Sequence, residues 1–312
     1  MKLSHILVLV ALFGAGCEAV PPTPVVAPAP VAKPAPSKPK VSEESTRIAA
    51  YYASVQTRLL AQGKLRQDFN PPDAPFNTDT LVRNFEKVAL YDEYTNQEGV
   101  FVEEQTASYL RRWQKPVRVG LYFGASVTPD QRVKDRKFVS AFANRLAGLT
   151  GLNIRLTSIK NANFVMLFLN RDEQKIDPGL LAANVPQLLP SIVREIETSP
   201  RNIFCVAYAL SNADNPTDYS GAVILVKGEH SDVMRRSCIE EEMTQALGLA
   251  NDDPTVRPSI FNDDEEFALL TRHDEILLKM LYDPRLRVGM TPERARPLLH
   301  SVAEDALKQS HI

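Results

Sequence analysis

The 312-residue chain has few of the side chains from which common catalytic centres are built. It contains five histidines, and no two of them stand four residues apart, the spacing that would place two imidazoles over one zinc ion on a helix. The sequence therefore disfavours zinc, both as a structural ion and as a catalytic one. The histidines are His5, His230, His273, His300 and His311.

Other common signatures are missing as well. Ser237 is not flanked by the glycines of a G-x-S-x-G elbow. The glycines of GLTGL (148–152) indicate a helix end and not a phosphate-binding loop. The net charge of −2 gives no electrostatic reason to expect a nucleic acid partner. These absences argue against several enzyme classes and against nucleic acid binding.

The N-terminal segment is typical of a targeting signal. A basic residue precedes an apolar run, Ile6 to Phe13, which is too short to cross a bilayer as a mature helix. Small residues then precede Cys17, an order that resembles the cleavage box of bacterial lipoproteins, although Gly14 stands where that box usually has an aliphatic residue. We predict a signal peptide over residues 1–16 and a lipid, such as palmitate, on Cys17. The alternative is an ordinary secretory signal with a chance cysteine.

Residues 17–42 are rich in proline and are predicted to be a tether. Eight of the chain's 23 prolines lie between residues 21 and 40. Such a composition cannot form a packed core and favours an extended polyproline II conformation of about 3.1 Å per residue. The segment would separate a lipid on Cys17 from the folded domain. The expected location is the bacterial cell envelope, lipid-anchored, facing the periplasm or the cell exterior.

Only two cysteines follow the targeting segment. Because two remaining thiols tend to pair in an oxidising compartment, we predict a disulfide between Cys205, in an apolar β-prone run, and Cys238, at the start of a helical stretch. The bond would close a loop of about 33 residues and contribute roughly 3–4 kcal/mol on a chain-entropy account. The alternative is two buried free thiols.

The hydrophobic periodicity divides the rest of the chain into two regions. Apolar residues recur at helical spacing over 43–66 and 79–94, and the stretch 102–113 also has helical character. Residues 43–115 are therefore predicted to be a helical N-terminal region. From residue 116 onward strand-like and helical stretches mix, in the order strand, helix, several strands, helix. This order predicts an α+β fold with a mixed sheet over residues 116–310.

The stretch CIEEEMTQALGLAND, Cys238 to Asp252, resembles the zinc-binding helix of metzincin peptidases, H-E-x-x-H-x-x-G-x-x-H. In that motif the histidines bind zinc, the glutamate activates water and the glycine lets the chain turn. Alignment on Gly248 keeps a glutamate, Glu242, at the general-base position. None of the three ligand positions carries a histidine; they are Glu241, Gln245 and Asn251. The resemblance implies a zincin-like fold with a degenerate metal site.

Two downstream stretches extend the resemblance. SIF, Ser259–Phe261, stands where metzincins have a methionine turn, and the later stretch LTRHDEILLKMLYD resembles their closing helix. Four stretches also resemble the bacterial lipoprotein family of domain of unknown function 2927, over roughly residues 80–300. They are NFEKVALYDEY, CIEEEMTQALGLANDD, PSIFNDD and LLKMLYDPRLRVGM. This resemblance implies that the histidine-free motif is normal for the family, and it leaves the activity open.

The degenerate ligand positions offer only oxygen donors, and two of the three are amides. Zinc prefers imidazole and thiolate, whereas a set of oxygen donors suits calcium. Four acids after the helix are candidates to complete such a site, although their spacing is not that of an EF-hand. They are Asp252, Asp253, Asp263 and Asp264. We expect no cofactor, with calcium as the alternative.

The function predicted from the sequence is non-catalytic. The domain would bind a peptide or another envelope protein, or act as a scaffold, and would contact the membrane through its lipid. Glu242 would then form hydrogen bonds within the fold, and Gln245 and Asn251 would bond to each other or to nearby backbone groups. The alternative is a peptidase-like hydrolase in which Glu242 is the general base, with an atypical oxygen-ligated metal or none. Adjacent glutamates on a helix diverge by about 100°, which argues against Glu241 and Glu242 as an acid–base pair.

Overall fold

The fold is α+β, as the sequence predicts. The computed structural model describes residues 41–97, 100–175, 179, 181, 183, 185, 188–212 and 214–310. The predicted signal peptide, the lipidation site Cys17 and nearly all of the predicted tether lie outside these residues. Within them, no helix has both the length and the apolar content needed to cross a membrane.

Two helices begin the described part of the chain, α1 (Glu43–Ala61) and α2 (Thr78–Ala89). Each starts at a polar residue whose side chain accepts a hydrogen bond from a backbone N–H of the first turn. These bonds run from Ser45 N to Ser42 Oγ and from Thr80 N to Asn77 Oδ1. The inward face predicted for α2 is buried: Leu81, Phe85, Val88 and Ala89.

Strands replace the helix predicted over 102–113. Strand β1 (Tyr91–Gln97) pairs antiparallel with β2 (Val100–Ala107), and β3 (Arg112–Trp113) joins the main sheet. The helical prediction for this segment is therefore wrong. The sequence of β2, VFVEEQTA, is rich in β-branched and aromatic residues, and pairing with β1 supplies its backbone with partners.

The main sheet has six strands. Its order is β3–β8–β6–β4–β5, with β7 also paired to β8. All of these pairings are parallel except that of β7 with β8, which is antiparallel. The remaining strands are β4 (Val117–Phe123), β5 (Ile154–Thr157), β6 (Phe164–Leu169), β7 (Cys205–Asn212) and β8 (Asn215–Lys227).

Hydrophobic residues cover both faces of this sheet. Every residue of β6 is buried, and its side chains alternate between two clusters. Phe164, Met166 and Phe168 belong to the larger cluster, and the intervening residues belong to the smaller one. A strand buried on both faces needs a continuous apolar run, which FVMLFL supplies.

The remaining helices fill these two faces. They are α3 (Pro129–Thr150), α4 (Pro190–Thr198), α5 (Asp232–Gln245), α6 (Arg272–Leu281) and α7 (Pro292–Gln309). Buried apolar residues of α4 lie in the smaller cluster, and those of α3, α5, α6 and α7 lie in the larger one, except Met234 of α5, which belongs to a third cluster with Val55 and Leu59 of α1. Phe85 of α2 shares the larger cluster with Leu299 of α7, so α2 and the rest of the domain have a common core.

The predicted disulfide is confirmed. Cys205, the first residue of β7, is bonded to Cys238 of α5, with an S–S distance of 2.04 Å and a Cα–Cα distance of 5.7 Å. The two residues are 33 positions apart. The bond fixes the motif-bearing helix to the antiparallel strand of the sheet.

Candidate functional site

The motif helix α5 ends earlier than the sequence suggests, at Gln245 and not near Leu249. Gly248 follows with a φ of +123°, and a Cβ there would lie 2.3 Å from the carbonyl oxygen of Arg111. Both the dihedral angle and the close approach require glycine. The turn that the motif predicts at this residue is therefore present.

Two aromatic side chains complete the hydrogen bonding of the helix end. Trp113 Nε1 donates to the carbonyl of Ala246 at 2.8 Å, and the hydroxyl of Tyr282 donates to the carbonyl of Leu247 at 2.9 Å. The last carbonyls of a helix have no partner within the helix. These two bonds fix the direction in which the chain leaves α5.

Gln245, at the second ligand position of the motif, binds an acid that follows the turn. Its Nε2 lies 3.0 Å from each carboxylate oxygen of Asp252 and donates to them. The amide and the carboxylate thus bridge the helix end and the segment after it. Gln245 does not bond to Asn251, which was one of the two arrangements expected for it.

Asn251, at the third ligand position, is completely buried and connects the chain to α2. Its Nδ2 donates to the carbonyl of Lys87 at 2.9 Å, and its backbone N–H donates to the carbonyl of Val88 at 3.2 Å. Among the described residues, Asn251 Oδ1 has no hydrogen-bond partner. The amide group of Asn251 thus bonds to backbone, as the structural interpretation of the motif expects.

Glu241, at the first ligand position, lies among other acids. Burial raises the pKa of its carboxyl group well above the usual value, and the negative charges of Asp252 and then Glu242 raise it further. Glu265 and Asp263 act in the same direction. Glu242 itself is buried, with 5% of its surface exposed. The helix end is therefore a group of carboxyls in which burial and neighbouring acids raise the pKa of Glu241.

The loop that supplies Glu265 has an unusual backbone. Asp263 and Glu265 have φ values of +59° and +61°, in the left-handed region that a glutamate rarely adopts. The segment after α1 holds the loop, because Leu65 N donates to the carbonyl of Glu265 and Arg66 N to that of Glu266, both at 2.8 Å. Burial raises the pKa of Glu265, and Asp263 and Asp264 raise it further. Sequence analysis did not select Glu265; the acidic run NDDEE was its only signal.

Asp274 organises the SIF segment. It is completely buried at the start of α6, where its carboxylate accepts hydrogen bonds from Ser259 Oγ at 2.5 Å and from Ile260 N at 3.1 Å. It also forms a capping box with Thr271. The SIF segment is thus fixed to the closing helix by a single buried carboxylate.

A second buried acid, Glu240, was not selected from the sequence. Its Oε2 accepts a hydrogen bond from the backbone N–H of Leu270 at 2.8 Å and lies 3.5 Å from Arg145 Nη1. Burial raises the pKa of Glu240 to about 6. The run of three glutamates in the motif was the available signal, and the fold gives each of the three a different environment.

The other acids considered for calcium have partners of their own. Asp253 lies 3.1 Å from Lys87 Nζ, and Asp264 lies 3.4 Å from Lys64 Nζ. Asp253 also accepts a hydrogen bond from the backbone N–H of Thr255. In the part of the chain that the structure describes, no group of three or more His, Cys, Asp or Glu side chains is placed to hold a metal ion.

Two histidines are buried and bound to other parts of the fold. His273 Nε2 lies 3.0 Å from Asn84 Nδ2 on α2, and His230 Nε2 lies 2.7 Å from the carbonyl oxygen of Phe204. Burial lowers the pKa of His230 to about 4. Both imidazoles therefore have hydrogen-bonding roles in the core.

The fold and this site define an α+β domain with a mostly parallel sheet and a carboxyl-rich helix end fixed by a disulfide. The chain belongs to the family described as "Protein of unknown function (DUF2927)", which matches residues 78–301. The predicted membership in the family of domain of unknown function 2927 is thus confirmed, whereas the lipoprotein character and the metzincin resemblance stay predictions. The match begins at the first residue of α2, which agrees with the core that α2 shares with α7. The search of curated proteins finds no match.

Proposed function

We propose that this protein is a lipid-anchored envelope protein that binds an extended peptide segment of a partner without catalysing a reaction. The strand β7 carries this proposal. Among the described strands it pairs only with β8, so one of its edges is open. An open edge can accept an extended peptide as an additional strand, through main-chain hydrogen bonds.

The composition of β7 supports this role. Its sequence, CVAYALSN, contains no charged residue and no proline, the residues with which proteins usually protect exposed edges. All eight residues are half-buried, and the first six, Cys205 to Leu210, pack alternately against the core clusters on the two sides of the sheet. The strand is therefore held in place by its packing and by its pairing with β8, and no other described strand pairs with it.

Helix α5 lies beside this strand and is fixed to it by the Cys205–Cys238 bond. The carboxyl group of Glu241 is one helical turn from Cys238 along α5. A peptide on β7 would thus run close to a helix that ends in several acidic side chains, which favours a segment with basic residues. The proposal keeps the zincin-like cleft predicted from the motif and assigns it to binding.

The bonds made by the motif residues support a non-catalytic role. Gln245 Nε2 is committed to Asp252, and Asn251 Nδ2 to the backbone of α2. Moving either amide to a metal or a substrate would leave a partner group without its hydrogen bond, at a penalty of about 1–3 kcal/mol each where the group is buried. These residues therefore stabilise the helix end, and the proposed function requires no metal.

The peptide proposal can be tested with the full chain purified in detergent. A library of ten-residue peptides displayed on phage would be selected on the immobilised protein, and selected peptides synthesised. Hydrogen exchange of the protein would then be measured with and without peptide. We expect slower exchange in β7 and at the C-terminal end of α5, with β5, the opposite edge of the sheet, unchanged. Protection confined to other elements, or no selected peptide, would overturn the proposal.

A hydrolase with Glu242 as general base is the second candidate. The position of Glu242 in the motif favours it, because a glutamate is kept where the general base of the metzincin helix stands, and its side chain is buried beside Glu241. Metal analysis of the protein after dialysis against calcium and zinc separates the two functions. Stoichiometric metal that is lost in Glu242→Gln favours the hydrolase, whereas binding of the selected peptides that survives Glu242→Gln favours the binding role.

The envelope location rests on the N-terminal sequence and has its own test. Cells expressing the protein would be labelled with radioactive palmitate and fractionated. We expect label in the protein and recovery with the membranes, and we expect both to be lost in Cys17→Ser. A Cys17→Ser chain that stays with the membranes would show that another feature retains it there.

A further inference from the structure

A cavity of about 260 Å³ lies at the start of α1. Leu65 and Arg66, which bind the loop of Glu265, follow the other end of this helix. Its walls come from the first turns of α1, the turn after β6 and the segment that follows α4. The residues that line it are Glu44, Arg47, Ile48, Arg171, Thr198, Ser199, Pro200 and Arg201. None of these lining residues is one of the acidic residues around Glu241.

The lining carries an excess of positive charge. Three of its residues are arginines and one is an acid. The acid, Glu44, lies 3.2 Å from Arg171 Nε. Within the part of the chain that the structure describes, the ion pair of Arg47 is a long, solvent-exposed contact with Glu43 at 3.8 Å, and such a pair contributes little. Two guanidinium groups therefore remain available to a negatively charged ligand.

The three arginines are held in different ways. Arg171 Nη1 donates to Gln174 Oε1 at 2.7 Å and to the carbonyl of Glu197 at 2.8 Å, so its position is fixed. The guanidinium carbon of Arg201 lies 4.8 Å from the ring centre of Tyr51. Arg47 extends from the exposed side of α1. One arginine is thus rigid, and the other two can adjust to a ligand.

The wall behind the cavity is polar and adds another cation. Lys227 is buried, and its Nζ donates to the carbonyls of Ser199 and Pro200, at 3.4 and 2.5 Å. These bonds hold the segment that carries Arg201. Glu229 is the counter-charge on this side: its Oε1 accepts from Ser45 Oγ and from Arg171 N, both at 2.7 Å.

Buried polar atoms without partners are concentrated here. Ser199 lines the cavity with 8% of its surface exposed, and its hydroxyl has no hydrogen-bond partner among the described residues. Three other buried atoms also have no hydrogen-bond partner among the described residues: Tyr52 Oη, Glu229 Oε2 and His230 Nδ1. Tyr52 stacks on His230 with ring centres 4.2 Å apart. Buried polar groups normally have hydrogen-bond partners, and the hydroxyl of Ser199 in the cavity wall could bond to a ligand.

We propose that this cavity binds a phosphate group carried on a short organic chain. Guanidinium groups recognise phosphate through paired charge-assisted hydrogen bonds, which Arg47, Arg171 and Arg201 can provide. Ile48 and Pro200 supply apolar surface for the attached carbons. The volume lies just below the roughly 300–1,000 Å³ of typical small-molecule sites, which suits a phosphate with only a few carbons.

The phosphate has two sources that satisfy the same chemistry: a small phosphate monoester in solution, or the headgroup of an anionic lipid. Helix α1 begins directly after the proline-rich segment, so the cavity is adjacent in sequence to the predicted tether. This site is separate from the peptide role proposed for β7, and neither proposal depends on the other.

Two measurements test the cavity. Glycerol 3-phosphate would be titrated calorimetrically into the full chain in detergent, as the soluble phosphate. The Cys17→Ser chain, which cannot be anchored through a lipid, would be sedimented with vesicles of phosphatidylglycerol or of phosphatidylcholine. We expect saturable one-site binding in the first measurement, or preferential sedimentation with phosphatidylglycerol in the second, and the arm that responds identifies the source.

The variant Arg47→Gln/Arg201→Gln removes the two adjustable arginines and leaves the bonds of Arg171 intact. We expect it to weaken binding by about ten- to a hundredfold, because each charge-assisted hydrogen bond contributes strongly to affinity. Arg58→Gln, an exposed arginine of α1 that does not line the cavity, is the matched control and should bind like the wild type. Absence of binding in both arms, or equal binding by the double variant and the wild type, would overturn the proposal.

Discussion

The helix end of α5 and the arginine-lined cavity handle unbalanced charge in opposite ways. Around Glu241 the acids lie close together within the fold, burial and their charges raise the pKa of Glu241, and Gln245 donates hydrogen bonds to Asp252. Around the cavity the excess arginines face an open volume of about 260 Å³. In the first region the side-chain amides of Gln245 and Asn251 donate to groups of the fold, whereas the second region has room for a negatively charged ligand.

This difference teaches that a recognisable motif and a binding-competent geometry need not coincide. Residues of the motif, such as Asn251, form hydrogen bonds within the fold. The cavity is formed by residues that are distant in sequence, among them Arg47, Arg171 and Arg201. No short stretch of sequence contains that combination.

The largest expected effect comes from the covalent bond that fixes α5. Cys238→Ser should lower the free energy of unfolding by about 2–5 kcal/mol, because the disulfide no longer restrains the unfolded chain. Urea denaturation measures this directly. Cys205→Ser, or the wild type under reducing conditions, should show the same loss. A loss much smaller than this would mean that α5 is held to β7 by packing alone. The Cys238→Ser variant should still bind phosphate in the cavity under native conditions.

The next effect concerns Asn251, the buried amide of the motif. Asn251→Ala should destabilise the protein by about 1–3 kcal/mol, because the Lys87 carbonyl loses its donor. Urea denaturation again gives the value. Asn212→Ala, at the end of β7 and half-buried, is a suitable control and should cost less. A neutral Asn251→Ala would show that the contact with α2 contributes nothing and would weaken the contrast between the two regions.

A pH-dependent effect is expected for Glu241. Its pKa in the folded state is raised above the ordinary 4.5, so the folded chain binds more protons than the unfolded chain above that pH. The contribution of Glu241 to stability is therefore complete below about pH 4.5 and is lost as the pH rises through the folded pKa. Glutamine stays neutral, so Glu241→Gln should be more stable than the wild type at neutral pH, with the difference shrinking in acid.

Denaturation at several pH values tests this expectation. Glu43→Gln, an exposed glutamate near the cavity, should not show such a gain. If Glu241→Gln were destabilising at neutral pH, the carboxylate of Glu241 would be ionised and bound to a cation, and the picture of a self-satisfied helix end would fail.

The smallest effect is expected at Ser199, in the wall of the cavity. Its hydroxyl has no partner among the described residues, so Ser199→Ala should change the free energy of unfolding by no more than about 0.5 kcal/mol. Calorimetric melting without phosphate measures this. A clear destabilisation would mean that the hydroxyl already bonds within the folded chain, and it would make the two regions more alike.

The sequence predicted much of the sheet and the motif helix because the signals there are local. The apolar run FVMLFL and the turn at Gly248 carry their structural meaning in a few residues. The helix predicted over 102–113 is wrong because the strands of this segment depend on pairing with β1 and with β8, which are tertiary effects.

The details of both polar regions depend on distant contacts that no periodicity encodes. Glu265 approaches Glu241 only because the loop takes left-handed backbone angles and is held by Leu65 and Arg66. In the same way, Arg171 and Arg201 are brought together by the packing of α1 against the sheet connections. Such approaches require the folded chain.

The open edge of β7 also affects the tendency of this protein to self-associate at high concentration. An uncharged strand edge that accepts a peptide accepts the edge of a neighbouring copy by the same backbone bonds. Eight residues of CVAYALSN are enough to begin cross-β stacking, since they lack the charges and prolines that interrupt it. If a peptide occupies this edge, as we propose, the unoccupied protein is the form expected to self-associate, and binding of the peptide should oppose that self-association.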